Sequence, residues 1–126
     1  MKSKYTGVNR IIKAFGYSWD GLRAVFKTET AFRQDLFLCV LGVIVQFFID
    51  VPMLYRILMV CSLGAIILAE LTNSAIETII DRIDSEYNHL SKRAKDIGSA
   101  IVMLTITFVI LLWISLIFLA AEVISK

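Results

Sequence analysis

The stretch Leu68-Ala-Glu70-Leu-Thr-Asn73-Ser-Ala-Ile-Glu77-Thr-Ile-Ile-Asp81-Arg82 decides the fold, because it prolongs an apolar run without a break and then carries acids at helical spacing. Glu70, Asn73, Glu77 and Asp81 stand at i, i+3, i+7 and i+11, so one continuous helix puts all four on one face. Leu71, Ile76, Ile79, Ile80 and Ile83 hold the other face. An acidic stripe at the end of a membrane-type helix is costly unless it is solvated, paired or bound to a cation.

The rest of the 126-residue chain fits a membrane setting: 58% of it is hydrophobic and its mean hydropathy is +0.77, above the usual soluble domain. One Pro and six Gly leave few turns, which favours long helices in a single domain, 1–126. A net charge of +2 argues against nucleic acid as a partner. Cys39 and Cys61 lie in apolar runs without metal or redox spacing and read as small core residues. A cleavable signal peptide is not expected, since the start is polar and amphipathic.

Working outward, residues 1–34 carry Val8, Ile11, Ile12, Phe15, Trp19, Leu22 and Phe26 at three- and four-residue steps. That is the pattern of a basic amphipathic helix lying on a membrane surface, with Gly16 and Gly21 as places where it could bend. Residues 36–49 form a first span, short at 14 residues and extended to near 31–49 by Ala31 and Phe32. Asp50-Val-Pro52 then breaks the helix. A second span runs near 53–80, a polar loop covers Asp84 to Asp96, and a third span runs near 97–121. Seven Lys/Arg precede the first span and four lie between the second and third, against one each in the turn and the tail. The N-terminus and the 82–97 loop are therefore expected in the cytoplasm and the C-terminus on the far side. Three spans alone surround four polar groups poorly, so the stripe is expected at a subunit interface, where Ser74-Ala75 and Gly98-Ser-Ala100 permit close approach.

No nucleotide-binding glycine loop or protein-kinase signature is present in the sequence. Glu70 and Glu77 lie roughly 10 Å apart along a helix. They cannot share one Mg²⁺, whose ligands sit at about 2.1 Å. The deeper Glu70 suits a general base acting on a hydroxyl held in the membrane. Glu77 suits metal binding, with Glu29 as its natural partner and Arg10 and Lys95 neutralising phosphate charge. The competing view is a solvated acidic face paired by Arg82, Lys92 and Arg93. Asp81, Asp84 and Glu86 read as exposed, His89 as a lone loop histidine, and Thr105 and Thr107 as bonded to their own helix.

Five pieces of sequence resemble the prokaryotic diacylglycerol kinase family: Arg10-Ile-Ile-Lys-Ala-Phe-Gly-Tyr17-Ser-Trp19-Asp-Gly-Leu-Arg23, Glu29-Thr-Ala-Phe-Arg-Gln34, Glu70-Leu-Thr-Asn73-Ser-Ala-Ile-Glu77, Asp81-Arg-Ile-Asp-Ser-Glu86-Tyr87 and Ala94-Lys-Asp-Ile-Gly-Ser99-Ala. The resemblance implies an all-α homotrimer in the bacterial inner membrane, with one surface helix and three transmembrane helices per chain. It implies transfer of the γ-phosphate of MgATP to diacylglycerol in sites shared between subunits, Mg²⁺ being the cofactor. Carried onto this chain, Glu70 is the base, Asn73 orients it, and Glu29 and Glu77 bind the metal. Arg10, Tyr17, Glu86, Tyr87, Asn88, Lys95 and Asp96 match nucleotide contacts. The lipid lies along Ala14, Phe15, Gly16, Tyr17, Ser18 and Trp19, then Ala31, Phe32, Arg33, Gln34 and Asp35, with Arg10, Glu70, Ser99 and Trp113. A sister branch phosphorylates undecaprenol with the same Glu/Asn/Glu helix, but Ser85-Glu-Tyr87 and Gly98-Ser-Ala100 look more like the diacylglycerol branch. Outside the enzyme class, the stripe also permits an oligomeric transporter or channel subunit.

Overall fold

A computed structural model describes residues 7–83 and 86–125. The described chain is helical: α1 (Val8–Thr28), α2 (Thr30–Val45) ending in a 3₁₀ turn (Gln46–Phe48), α3 (Met53–Ile83) and α4 (His89–Ile124). Three helical stretches, Thr30–Phe48, Met53–Ile83 and His89–Ile124, are long and apolar enough to cross a membrane.

Two boundaries differ from the sequence reading. The amphipathic unit was expected to run to residue 34, yet α1 stops at Thr28 and α2 starts at Thr30, with Glu29 extended between them. Thr28 helps end α1 by turning its hydroxyl back onto the Ala24 carbonyl at 3.1 Å. α1 runs unbroken through Gly16 and Gly21, where the sequence would permit a bend. The polar segment 84–96 was expected as loop, but α4 begins at His89. Asn88 caps it, its side chain accepting the Leu90 N–H at 2.8 Å. Asp84 and Ser85 lie outside the described residues.

The turn after α2 is closed by Arg56, whose guanidinium donates to the carbonyls of Gln46 and Ile49 (2.5 and 2.8 Å). Carbonyls at a helix end run short of backbone partners, Gln46 O having besides only the long 3.4 Å bond from the Ile49 N–H, and a cation there also suits the helix dipole. Pro52 stands just ahead of α3, its carbonyl accepting from the N–H groups of Tyr55 and Arg56.

α3 packs along α4 over its length and against α2 over less of it. One core cluster joins Cys39, Leu63, Ile66 and Val109, and a second joins Val51, Met59, Leu116 and Ala120. Trp113 touches both, and its indole N–H donates to Ser62 Oγ at 3.0 Å. α2 comes close because residue 42 is glycine: a Cβ there would stand 3.0 Å from Leu63 Cδ1 and 3.5 Å from Trp113 Cη2. Cys61 is exposed and so is not the core residue expected of it, because an all-apolar run carries no sign of which face points inward. Thr105 and Thr107 do bond their own helix, at Ile101 and Met103.

Candidate active site

The acidic face of α3 turns toward α2 and α4 and divides by depth. Glu70 is 4% exposed and Ser74 3%, Asn73 and Glu77 are half-buried, and Asp81 is exposed. The stripe was expected to be buried at a subunit interface; within one chain Glu70 is already buried, while Asp81 stays exposed. A shallow cavity of about 480 Å³ opens beside Glu70 and brings in Asn73 from α3, Ala31 and Asp35 from α2, and Ser99 from α4. Asp35 shares this cavity with the buried Glu70, and two carboxylates in one partly dry cavity are costly to hold unless a cation or a proton joins them.

Asn73 stands between Glu70 and Glu77 on the stripe. Its Nδ2 donates to Glu77 Oε1 at 3.1 Å, and its Oδ1 is buried without a hydrogen-bond partner. That oxygen lies against Gly98 of α4, where a Cβ would collide with it. Asn73 therefore holds one oxygen of Glu77 in place from the helix turn below.

At the wide end, α3 and the start of α4 enclose a polar cleft of about 390 Å³ lined by Asp81, Glu86, Tyr87, Asn88, Lys95 and Asp96 among others. Lys95 Nζ reaches across to Asp81 at 2.5 Å, and Lys92 pairs with Asp96 at 2.6 Å. Of the stripe, Asp81 is thus paired, by Lys95; among the described residues no salt bridge joins the stripe to Arg82, Lys92 or Arg93, the partners that the solvated-face view supposed. Five residues expected to contact nucleotide, Glu86, Tyr87, Asn88, Lys95 and Asp96, meet in this cleft. Arg10 and Tyr17 stay on α1, where Arg10, Ala14, Phe15 and Ser18 border a separate shallow groove and Tyr17 and Trp19 are exposed.

The remaining expected lipid contacts are scattered. Phe32 is buried and Gln34 exposed. The guanidinium of Arg33 folds back onto the end of α1. Trp113 is engaged with Ser62 in the packed interior. Among the described residues no group of three His, Cys, Asp or Glu side chains could hold a metal by itself. Val102, Met103 and Ile106, which the sequence reading did not single out, line the Glu70 cavity together with Thr107, which it read only as bonded to its own helix. They follow Ser99 at helical steps, so the spacing that revealed the acid stripe would have found them.

A profile of prokaryotic diacylglycerol kinase matches residues 16–117. The chain belongs to this family. The diacylglycerol kinase of Escherichia coli K12 is 46% identical over 113 residues, which cover 90% of this chain and 93% of that protein. The Pseudomonas aeruginosa diacylglycerol kinase is 43% identical over 108 residues (86% and 88%), and that of Haemophilus influenzae is 41% identical over 115 residues (91% and 98%). Within the kinase family profile fall Glu29, Glu70, Asn73, Glu77 and the whole charged cleft, while Arg10, Ala14 and Phe15 precede it.

Proposed function

We propose that this chain is a lipid kinase that transfers the γ-phosphoryl group of ATP to the free hydroxyl of diacylglycerol, giving phosphatidic acid. Family membership supports the reaction. The observation that carries the mechanism is the buried Glu70 carboxylate, open to a membrane-depth cavity below a charged cleft on the same two helices.

The division of labour follows the depth. Glu70 takes the proton of the lipid hydroxyl as the oxygen attacks the γ-phosphorus and ADP departs. Asn73 steadies the local arrangement, with its amide on Glu77. Lys95 and its neighbours in the cleft receive the phosphates, and Arg10 and Tyr17 would join from α1. Glu29 and Glu77 offer hard carboxylate oxygens of the kind Mg²⁺ prefers. Two such ligands leave room for phosphate oxygens to complete the shell. When bound, Mg²⁺ neutralises charge on the β- and γ-phosphates. The lipid is read along Ala14 to Trp19, Ala31, Phe32, Gln34, Asp35 and Ser99, with Trp113 as an outlying position; Arg33, whose guanidinium is taken up by the end of α1, is left out.

α1 exposes Ile11, Phe15 and Trp19, the side suited to a membrane surface. The excess of basic residues before α2 and between α3 and α4 supports a cytoplasmic N-terminus and a periplasmic C-terminus in the bacterial inner membrane. Large apolar side chains such as Phe37 and Phe108 point outward, which suits lipid and neighbouring copies in a homotrimer.

The test is label transfer from γ-labelled ATP in mixed micelles, offering diacylglycerol and undecaprenol side by side. Diacylglycerol should be the better acceptor, and Glu70→Gln should lower turnover by about 10²-fold or more while the oligomer stays folded. A well-folded, fully active Glu70→Gln protein would remove Glu70 from the role of base.

A further inference from the structure

Glu29 is the single residue separating α1 from α2, and its backbone is extended, with φ −102° and ψ 112°. A side chain at such a break has no helix to fix its direction. The last carbonyls of α1 also lose their helical partners there. Glu29 N–H satisfies the Val25 carbonyl at 2.8 Å. The next two carbonyls are taken by one side chain: Arg33 Nη1 donates to Phe26 O at 2.8 Å and to Lys27 O at 3.2 Å. Arg33 Nη2 donates to Thr30 Oγ1 at 3.0 Å, and the Arg33 backbone N–H donates to the Glu29 carbonyl at 3.4 Å. Arg33 therefore holds the chain on both sides of Glu29, and its neighbour Phe32, 3% exposed, anchors the start of α2. A guanidinium can do this because its donors are set in a planar fork, and an ammonium cannot span the same acceptors.

A residue serving the lipid would turn its guanidinium toward the bilayer. This one is spent on its own backbone. We propose that Arg33 is a positioning residue: by clamping the end of α1 to the start of α2, it sets where the Glu29 carboxylate points and so governs divalent-cation affinity. The proposal rests on the reading of Glu29 as a metal ligand.

Arg33→Ala and Arg33→Lys of the full chain separate the possibilities. Mn²⁺ binding in the presence of a non-hydrolysable ATP analogue is followed by electron paramagnetic resonance, and the KM values for MgATP and diacylglycerol are measured alongside. Loss of a group that orients a metal ligand costs about 10- to 100-fold in metal affinity. Arg33→Ala should show that loss with the diacylglycerol KM unchanged, and Arg33→Lys should fall between it and the parent. A raised diacylglycerol KM with unaltered Mn²⁺ binding, or no change in either, overturns the proposal. Should Arg33→Ala fail to fold, Arg33→Lys decides by the same two readouts. A parent chain that phosphorylates no diacylglycerol would overturn the kinase reading instead, and that result is visible without any variant.

Discussion

Asn73 on α3 and Gly98 on α4 occupy each other's space: the Asn73 carboxamide oxygen fills the place where a side chain at residue 98 would begin. The oxygen is buried and has no hydrogen-bond donor, so close contact with the bare glycine is what keeps water and other groups off it. The other end of the same carboxamide holds Glu77. One helix–helix contact thereby sets the rotamer of a residue that stands between Glu70 and Glu77 on the same helix face.

Gly98→Ala tests that relationship, because two effects oppose. Alanine in a helix interior gains about 1 kcal/mol over glycine from propensity. Overpacking a tight contact costs about 1–3 kcal/mol, and here the atom met belongs to a side chain already bonded elsewhere. The clash should win. We expect Gly98→Ala to lower turnover, by moving Asn73 off Glu77, and to lower resistance to denaturant. An alanine variant with unchanged activity and higher stability would show that Asn73 relaxes freely.

Lys95 and Asp81 form an ion pair whose side chains are 40% and 65% exposed. Exposed pairs add little to stability, so the pair is better understood as holding Lys95 over the cleft. Lys95→Met is expected to raise the KM for ATP about tenfold or more, as loss of a charge-assisted bond does. Asp81→Asn should have a smaller effect on that KM. Thermal midpoints of both variants should match the parent. A drop in midpoint without a change in KM would make the pair a structural brace.

Much of this was legible in the sequence, and the gaps have physical causes. The three long apolar helices and the shared face of Glu70, Asn73 and Glu77 are local patterns, which periodicity reports directly. The break at Glu29 is not, since Thr28-Glu29-Thr30 contains neither Gly nor Pro and the clamp that fixes it comes from Arg33 in the next helix. The start of α4 was hidden by polarity. His89 to Asp96 reads as loop until Asn88 is seen as a cap and Lys92–Asp96 as a pair one helical turn apart. The outward turn of Cys61 and the meeting of Asn73 with Gly98 depend on which helices become neighbours, information that a single apolar stretch does not carry.

Ser62 and Trp113 give a last prediction, because their bond joins α3 to α4 far from the charged cleft. Residues 99 and 113 are separated by roughly 21 Å of helix at 1.5 Å per residue. Ser62 Oγ also donates to the Met59 carbonyl at 2.7 Å, so removing the indole leaves the hydroxyl with a partner. Removing the hydroxyl, by contrast, leaves the Trp113 N–H among apolar groups. Ser62→Ala should therefore cost about 1–3 kcal/mol, the penalty of an unsatisfied donor. Trp113→Phe should cost through lost packing against Gly42 and the two core clusters. Interhelical bonds of this kind couple by about 0.6 kcal/mol on average and up to about 1.7. A double-mutant cycle read by denaturant unfolding should give a coupling in that range, Ser62→Ala costing less when Trp113→Phe is already present than in the parent. Strict additivity would mean that the two side chains stabilise the helix pair independently.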